Sequence, residues 1–129
     1  MSDSNFKSVF AVTLFCTNLE TSAQFYEKFL GSRAVFETDT SRVFKIGDLL
    51  VNLLVEQSVP ELISPETWQK LGQNDVFTLH VEDLNPELQR LQEHGISLLN
   101  GPFDRPWGIR AITVQDPDGH IWEIAQPLE

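Results

Sequence analysis

The chain has 129 residues, 41% of them hydrophobic, and carries 9 Lys and Arg against 19 Asp and Glu, a formal charge of −10. That length suits one domain with a proper core, burying roughly two-thirds of the unfolded surface. The charge disfavours nucleic acid and anionic membranes as partners and favours a cationic small molecule, although an acidic balance also serves plain solubility.

No apolar run approaches the roughly 20 residues of a membrane span, and the opening MSDSNFKS lacks the apolar stretch of a secretory signal, so a cytoplasmic protein is expected. The single Cys16 has no internal disulfide partner and sits in the apolar run VFAVTLFC, which predicts a buried thiol.

Residues 9–16 are rich in β-branched and aromatic side chains and predict a strand. The capping side chains of Asn18-Leu19-Glu20-Thr21 follow, then a helix to Leu30 with Ala23, Phe25, Tyr26, Phe29 and Leu30 on its apolar stripe and Gly31 as its stop. Three short strands are expected at 34–37, 42–46 and 49–56, the last two joined by a tight turn at Gly47-Asp48. A connector at 57–74, with Pro60, Pro65 and Gly72, is expected to hold one short helix over 65–71 begun by Ser64.

The second half repeats the plan. A strand over 75–81 leads to Asn85-Pro86, read as a cap followed by proline at the first helical position, and then to a helix with Leu88 and Leu91 inward and Gly95 as its stop. Strands at 96–99, 109–115 and 120–126 complete it, with Pro102, Pro106 and Gly108 marking a loop and Asp116-Pro117-Asp118-Gly119 a turn whose Asp side chains can bond their own backbone. The expected fold is α+β, an internal duplication of a βαβββ unit, with module 1 at about 8–56 and module 2 at about 75–127 in one domain. Glu123 falls among apolar neighbours in the last strand, either on an edge strand with one face in water or aimed into an enclosed site.

This order of elements, with Phe25-Tyr26-Glu27-Lys28-Phe29-Leu30-Gly31, Pro106-Trp107-Gly108 and Asp116-Pro117-Asp118-Gly119-His120-Ile121-Trp122-Glu123, resembles the vicinal oxygen chelate superfamily of glyoxalases, extradiol dioxygenases and fosfomycin and bleomycin resistance proteins over essentially the whole chain. The resemblance implies curved mixed sheets around a cup-like cavity, and a homodimer. It also implies a divalent metal on four side chains, and those positions fall near Ala11, Asn52, Val76 and Glu123. Only Glu123 is an ordinary ligand, so no metal and no other cofactor is expected. His80 lies four residues past Val76, about 13 Å along a strand, too far to replace it.

Two functions of different classes follow. The first is a metal-free protein of the bleomycin resistance type, which binds or sequesters a planar, cationic small molecule in a dimer-associated cavity. Its ligand contacts would be Trp107, Glu123, Trp68, Phe103, His80 and Asn52, the aromatic rings by stacking and Glu123 by charge. The second is a lyase or glyoxalase-type enzyme with Glu123 as catalytic general base, with or without a divalent metal. His94, at a helix end, and His120, after the turn glycine, read as structural or solvated.

Overall fold

The computed structural model describes residues 5–6, 8–55 and 76–128. Two strand-helix units open in the same way. In β1 (Ala11–Cys16) burial alternates towards its end, at Leu14 and Cys16, Asn18 caps α1 (Leu19–Leu30) by accepting the Thr21 amide proton, and Gly31 ends the helix in the left-handed conformation. In β5 (Val76–His80) the same alternation leads to Asp83, whose side chain accepts the Asn85 amide proton at the head of α2 (Leu84–Glu93). The cap is thus Asp83 rather than Asn85, and Pro86 sits in the first turn at the third helical position, where its missing N–H is still no loss. Leu84 N–H donates to the Gln126 side chain, which ties the helix start to the last strand.

Each unit is completed by three strands: β2 (Phe36–Glu37), β3 (Ser41–Ile46) and β4 (Leu49–Val55) in the first, β6 (Asn100–Arg105), β7 (Ile109–Gln115) and β8 (Ile121–Pro127) in the second. The fold is α+β, with two four-stranded mixed sheets in the orders β1-β4-β3-β2 and β5-β8-β7-β6. In both, the first strand pairs in parallel with the last and the rest pair antiparallel. β8 is therefore an interior strand, not an edge. The expected connector, with Trp68 and the helix over 65–71, lies outside the described residues.

The expected strand at 96–99 is replaced by β6, which runs through Gly101 and Pro102. β6 is an edge strand with a register shift between Asn100 and Phe103, the two settings in which a sheet tolerates proline. Gly101 has φ 95°, and a Cβ there would stand 2.6 Å from the Ala111 carbonyl oxygen and 2.9 Å from Ile112 Cα. Gly101→Ala should therefore lower the unfolding free energy by about 3 kcal/mol, combining positive-φ strain with a backbone clash. Chemical denaturation checks it. A loss below roughly 1 kcal/mol would show that β6 yields freely at the bulge.

The core lies on the helix side of both sheets. Leu14, Cys16, Phe44, Val51 and Leu53 of the first sheet and Ile112, Val114, Trp122 and Ile124 of the second form one buried cluster with Tyr26, Phe29, Leu84 and Leu91 of the helices. Trp122 joins the two units, with its ring centre 6.2 Å from that of Tyr26, 5.8 Å from Phe29 and 5.1 Å from Phe77. No described helix is long and apolar enough to cross a membrane.

Polar groups fasten the same junction. Asp116 bonds its own turn through the amides of Asp118 and His120, as the turn motif predicts, and its other oxygen accepts the buried Tyr26 hydroxyl at 2.6 Å. Asp118 does something the turn motif does not announce: it accepts from Thr17 N–H, Thr17 Oγ1 and Ser22 Oγ near the start of α1. From the other side, Arg90 of α2 donates to the carbonyls of Lys28 and Phe29, capping the C-terminus of α1, while Glu87 holds the guanidinium in place.

Candidate functional site

Strand alternation fixes which side chains share the face turned away from the helices. Trp122 and Ile124 point to the core, so Ile121, Glu123 and Ala125 lie on the opposite face of β8. Cross-strand partners share a face, and the register then lays out two rows across the second sheet. The first row is Asn100, Thr113, Glu123 and Thr78; the second is Phe103, Ala111, Ala125 and His80.

The first row is polar throughout and internally bonded. Thr78 Oγ1 donates to Glu123 Oε1 at 2.9 Å, and Thr113 Oγ1 donates to Asn100 Oδ1 at 2.7 Å. Glu123 is half-buried, and its second oxygen has no partner among the described residues. A carboxylate with one oxygen fixed and the other open, on a face flanked by Ile121 and Ala125, can receive a hydrogen-bond donor or take a proton.

In the first sheet the corresponding row is Thr13, Asn52, Val43 and Phe36. Thr13 stands to Asn52 as Thr78 stands to Glu123, an echo of the repeat. Asn52 Oδ1 is buried without a hydrogen-bond partner among the described residues, a costly state for an amide oxygen. Val43 and Phe36 replace the polar Thr113 and Asn100, so the hydrogen-bonded row belongs to the second sheet alone.

The sequence-predicted site residues separate accordingly. Glu123, Phe103 and His80 share one face of the second sheet, and Asn52 holds the matching place on the first. Trp107 is 69% exposed at the turn between β6 and β7. Four residues of β7 separate Ile109, beside that turn, from Thr113 at the level of Glu123, about 13 Å. Near that turn Arg105 lies over the Phe103 ring at 5.2 Å, and Arg110 pairs with Asp104 at 2.7 Å. Trp68 lies outside the described residues.

The two other histidines have structural contacts. The His120 ring bonds the Phe15 carbonyl through Nε2 at 2.9 Å, and His94 ends α2 with its amide bonded to Arg90 O. Cys16 is buried, as expected. Thr78 and Thr113 were not expected at the site. The signal that could have found Thr78 is the recurrence of Thr at the same place in the opening strand of both repeats.

The four positions that the resemblance assigns to a divalent metal do not fit one. Ala11 and Val76 offer no donor atom and pair with Leu50 and Ile121, so that Thr13 and Thr78, not they, stand opposite Asn52 and Glu123. Among the described residues no group of three or more His, Cys, Asp or Glu could hold a metal ion.

With this geometry in view, the chain proves to be a member of the Glyoxalase/Bleomycin resistance protein/Dioxygenase superfamily, whose family model matches residues 8–124. Among curated relatives, Virulence protein STM3117 of Salmonella typhimurium is 27% identical over 118 residues, covering 89% of this chain and 81% of that protein. Metallothiol transferase FosB of Staphylococcus haemolyticus is 25% identical, covering 92% and 82%. Among solved structures, a glyoxalase/bleomycin resistance protein/dioxygenase from Nocardioides aligns with TM-score 0.83 at 22% identity over 98% of this chain and 87% of that one. Lactoylglutathione lyase from Agrobacterium tumefaciens aligns with TM-score 0.77 at 18% identity, over 95% and 96%. The last two likenesses speak to the fold alone.

Proposed function

We propose that this protein is a single-domain, metal-free binder of a small, planar, cationic ligand, held beside Glu123 on the face of the second sheet turned away from the helices, in a cavity completed by a second copy of the chain. The observation that carries the reading is Glu123: a half-buried carboxylate with one oxygen fixed by Thr78 and the other open, while Thr13, Asn52 and Thr78, none of them a His, Cys, Asp or Glu, fill the other places in the matching rows of the two sheets. The charge of −10 supports a cation, whose association it would speed in a salt-dependent way. Phe103, one row from Glu123, offers a ring to a planar body. Trp107, about four strand residues away along β7, is then a contact at the rim.

The homodimer rests on exposed apolar side chains: Val76 on this face, and Phe10, immediately before β1, remain largely in solvent in a single chain. Sedimentation at micromolar concentration should find a dimer, and a monomer would remove the shared cavity. Benzamidine, benzamide and benzoate, equal in shape and differing in charge, test the ligand class together with bleomycin. Benzamidine should bind best, and Glu123→Gln should weaken it about tenfold or more, the value of one charge-assisted hydrogen bond.

Equal binding of benzoate would sink the electrostatic reading. Stoichiometric metal retained through dialysis and lost in Glu123→Gln would overturn the metal-free one. A bound compound released chemically altered would make Glu123 a general base and the protein an enzyme, a reading for which its similarity to a metallothiol transferase gives reason to look.

A further inference from the structure

A cleft of about 530 Å3 lies where the two modules meet, beside β5, which among the described residues is the end strand of its sheet, and is within the size range of small-molecule sites. Its wall is apolar, formed by Phe29 at the end of α1, Ile46 at the end of β3, Leu79 and Val81 beside β5, and Ile124. Polar side chains also line it: Lys45 from the first module, and from the second His80 and Thr78, the last with its hydroxyl already given to Glu123. Lys45 and His80 are exposed, and neither has an ion pair or hydrogen-bond partner among the described residues. The remaining charges in the lining cancel, because Glu87 is bonded to Arg90 and the Arg90 guanidinium is spent on Glu87 and the last carbonyls of α1.

An apolar slot with an unpaired lysine at its mouth, on a protein of charge −10, marks a local departure from the overall sign that the sequence composition conceals. We propose that this cleft is a second ligand site, adjoining the Glu123 face at β5 but not using the Glu123 carboxylate, and that it takes an amphiphilic monocarboxylate whose hydrocarbon body lies along Ile46, Leu79 and Ile124 while its carboxylate meets Lys45 and His80. A cationic amphiphile would find the same wall but meet like charge. A second phosphate-like charge would find no further cationic side chain unpaired among the described lining residues, since Arg90 is occupied.

The test is a titration of the full chain with octanoate, octan-1-ol and octylammonium, followed by backbone amide shifts in two-dimensional NMR. Octanoate should bind most tightly, with its largest shifts at Ile46, Leu79 and Val81. Lys45→Gln and His80→Gln should each weaken it by about fivefold, as expected for one largely solvent-exposed charge contact, and together by more. Both positions are exposed, so neither variant should disturb folding. Octylammonium binding as tightly as octanoate would overturn the proposal, as would unchanged affinity in the double variant. Octanoate shifts centred on Thr113, Ile121 and Glu123, with none at Ile46, would place the ligand in the middle of the second sheet rather than in the cleft, which would also refute it without bearing on whether a cation binds there.

Discussion

In an alkaline titration the folded protein should show no phenolate absorbance until it unfolds. Tyr26 is the single tyrosine of the chain, so this spectrum reports one residue. Burial of the ring first, and then the negative charge of Asp116, push its pKa far above the usual value of 10.0. The sign follows from linkage: below about pH 10 both states keep the proton and the contribution is fully present, whereas above it the unfolded chain ionises and the native state does not. Stability should then fall by about 1.4 kcal/mol per pH unit from this group. Tyr26→Phe should abolish that component and, by leaving a buried carboxylate short of a donor, cost about 2 to 3 kcal/mol at neutral pH. Asp116→Ala should cost about 3 to 4 kcal/mol, since it strips partners from the Tyr26 hydroxyl and from the amides of Asp118 and His120. Phenolate appearing near pH 10 in the native protein would mean that the Tyr26 to Asp116 contact opens freely.

The helices, the duplication and most strands were legible because each depends on neighbours close in the chain: an apolar stripe, a capping side chain, a stopping glycine. β6 was not legible, since Gly101 and Pro102 signal a loop and only their place on a bulged sheet edge makes them strand residues. The misplaced cap has the same origin: Asn85-Pro86 is a fair helix start by itself, and only the conformation of Asp83 shows that the helix begins earlier. At the site, Glu123 stood out as a carboxylate among apolar residues, but its partner Thr78 is 45 residues away and its place in a polar row required the register. Asp118 and Arg90 were invisible for a stronger version of that reason, because their partners lie in the other module. Trp107 attracted attention as an aromatic in a loop, yet the strand length that separates it from Glu123 is a property of the folded sheet.

Trp122 should be the costliest side chain to remove, and its loss should be felt on the face it does not occupy. It is 1% exposed, packs against rings from α1 and β5, and donates its indole N–H to the Tyr26 hydroxyl at 3.0 Å. Trp122→Ala would leave a large cavity at the module junction and an unmet acceptor, for a loss of about 4 kcal/mol or more. For a chain of this size that is roughly 12 to 20 °C in Tm. Trp122→Phe keeps part of the ring and should lie between. Glu123, the next residue, points the other way, and Glu123→Gln should change stability by less than about 1 kcal/mol. Calorimetry of the three variants separates the two faces of β8. If Trp122→Ala lost less than about 1.5 kcal/mol, the modules would not be joined through this residue. The two halves would then be expected to unfold in separate steps, and the fixed placement of Glu123 relative to the first module would lose its physical basis.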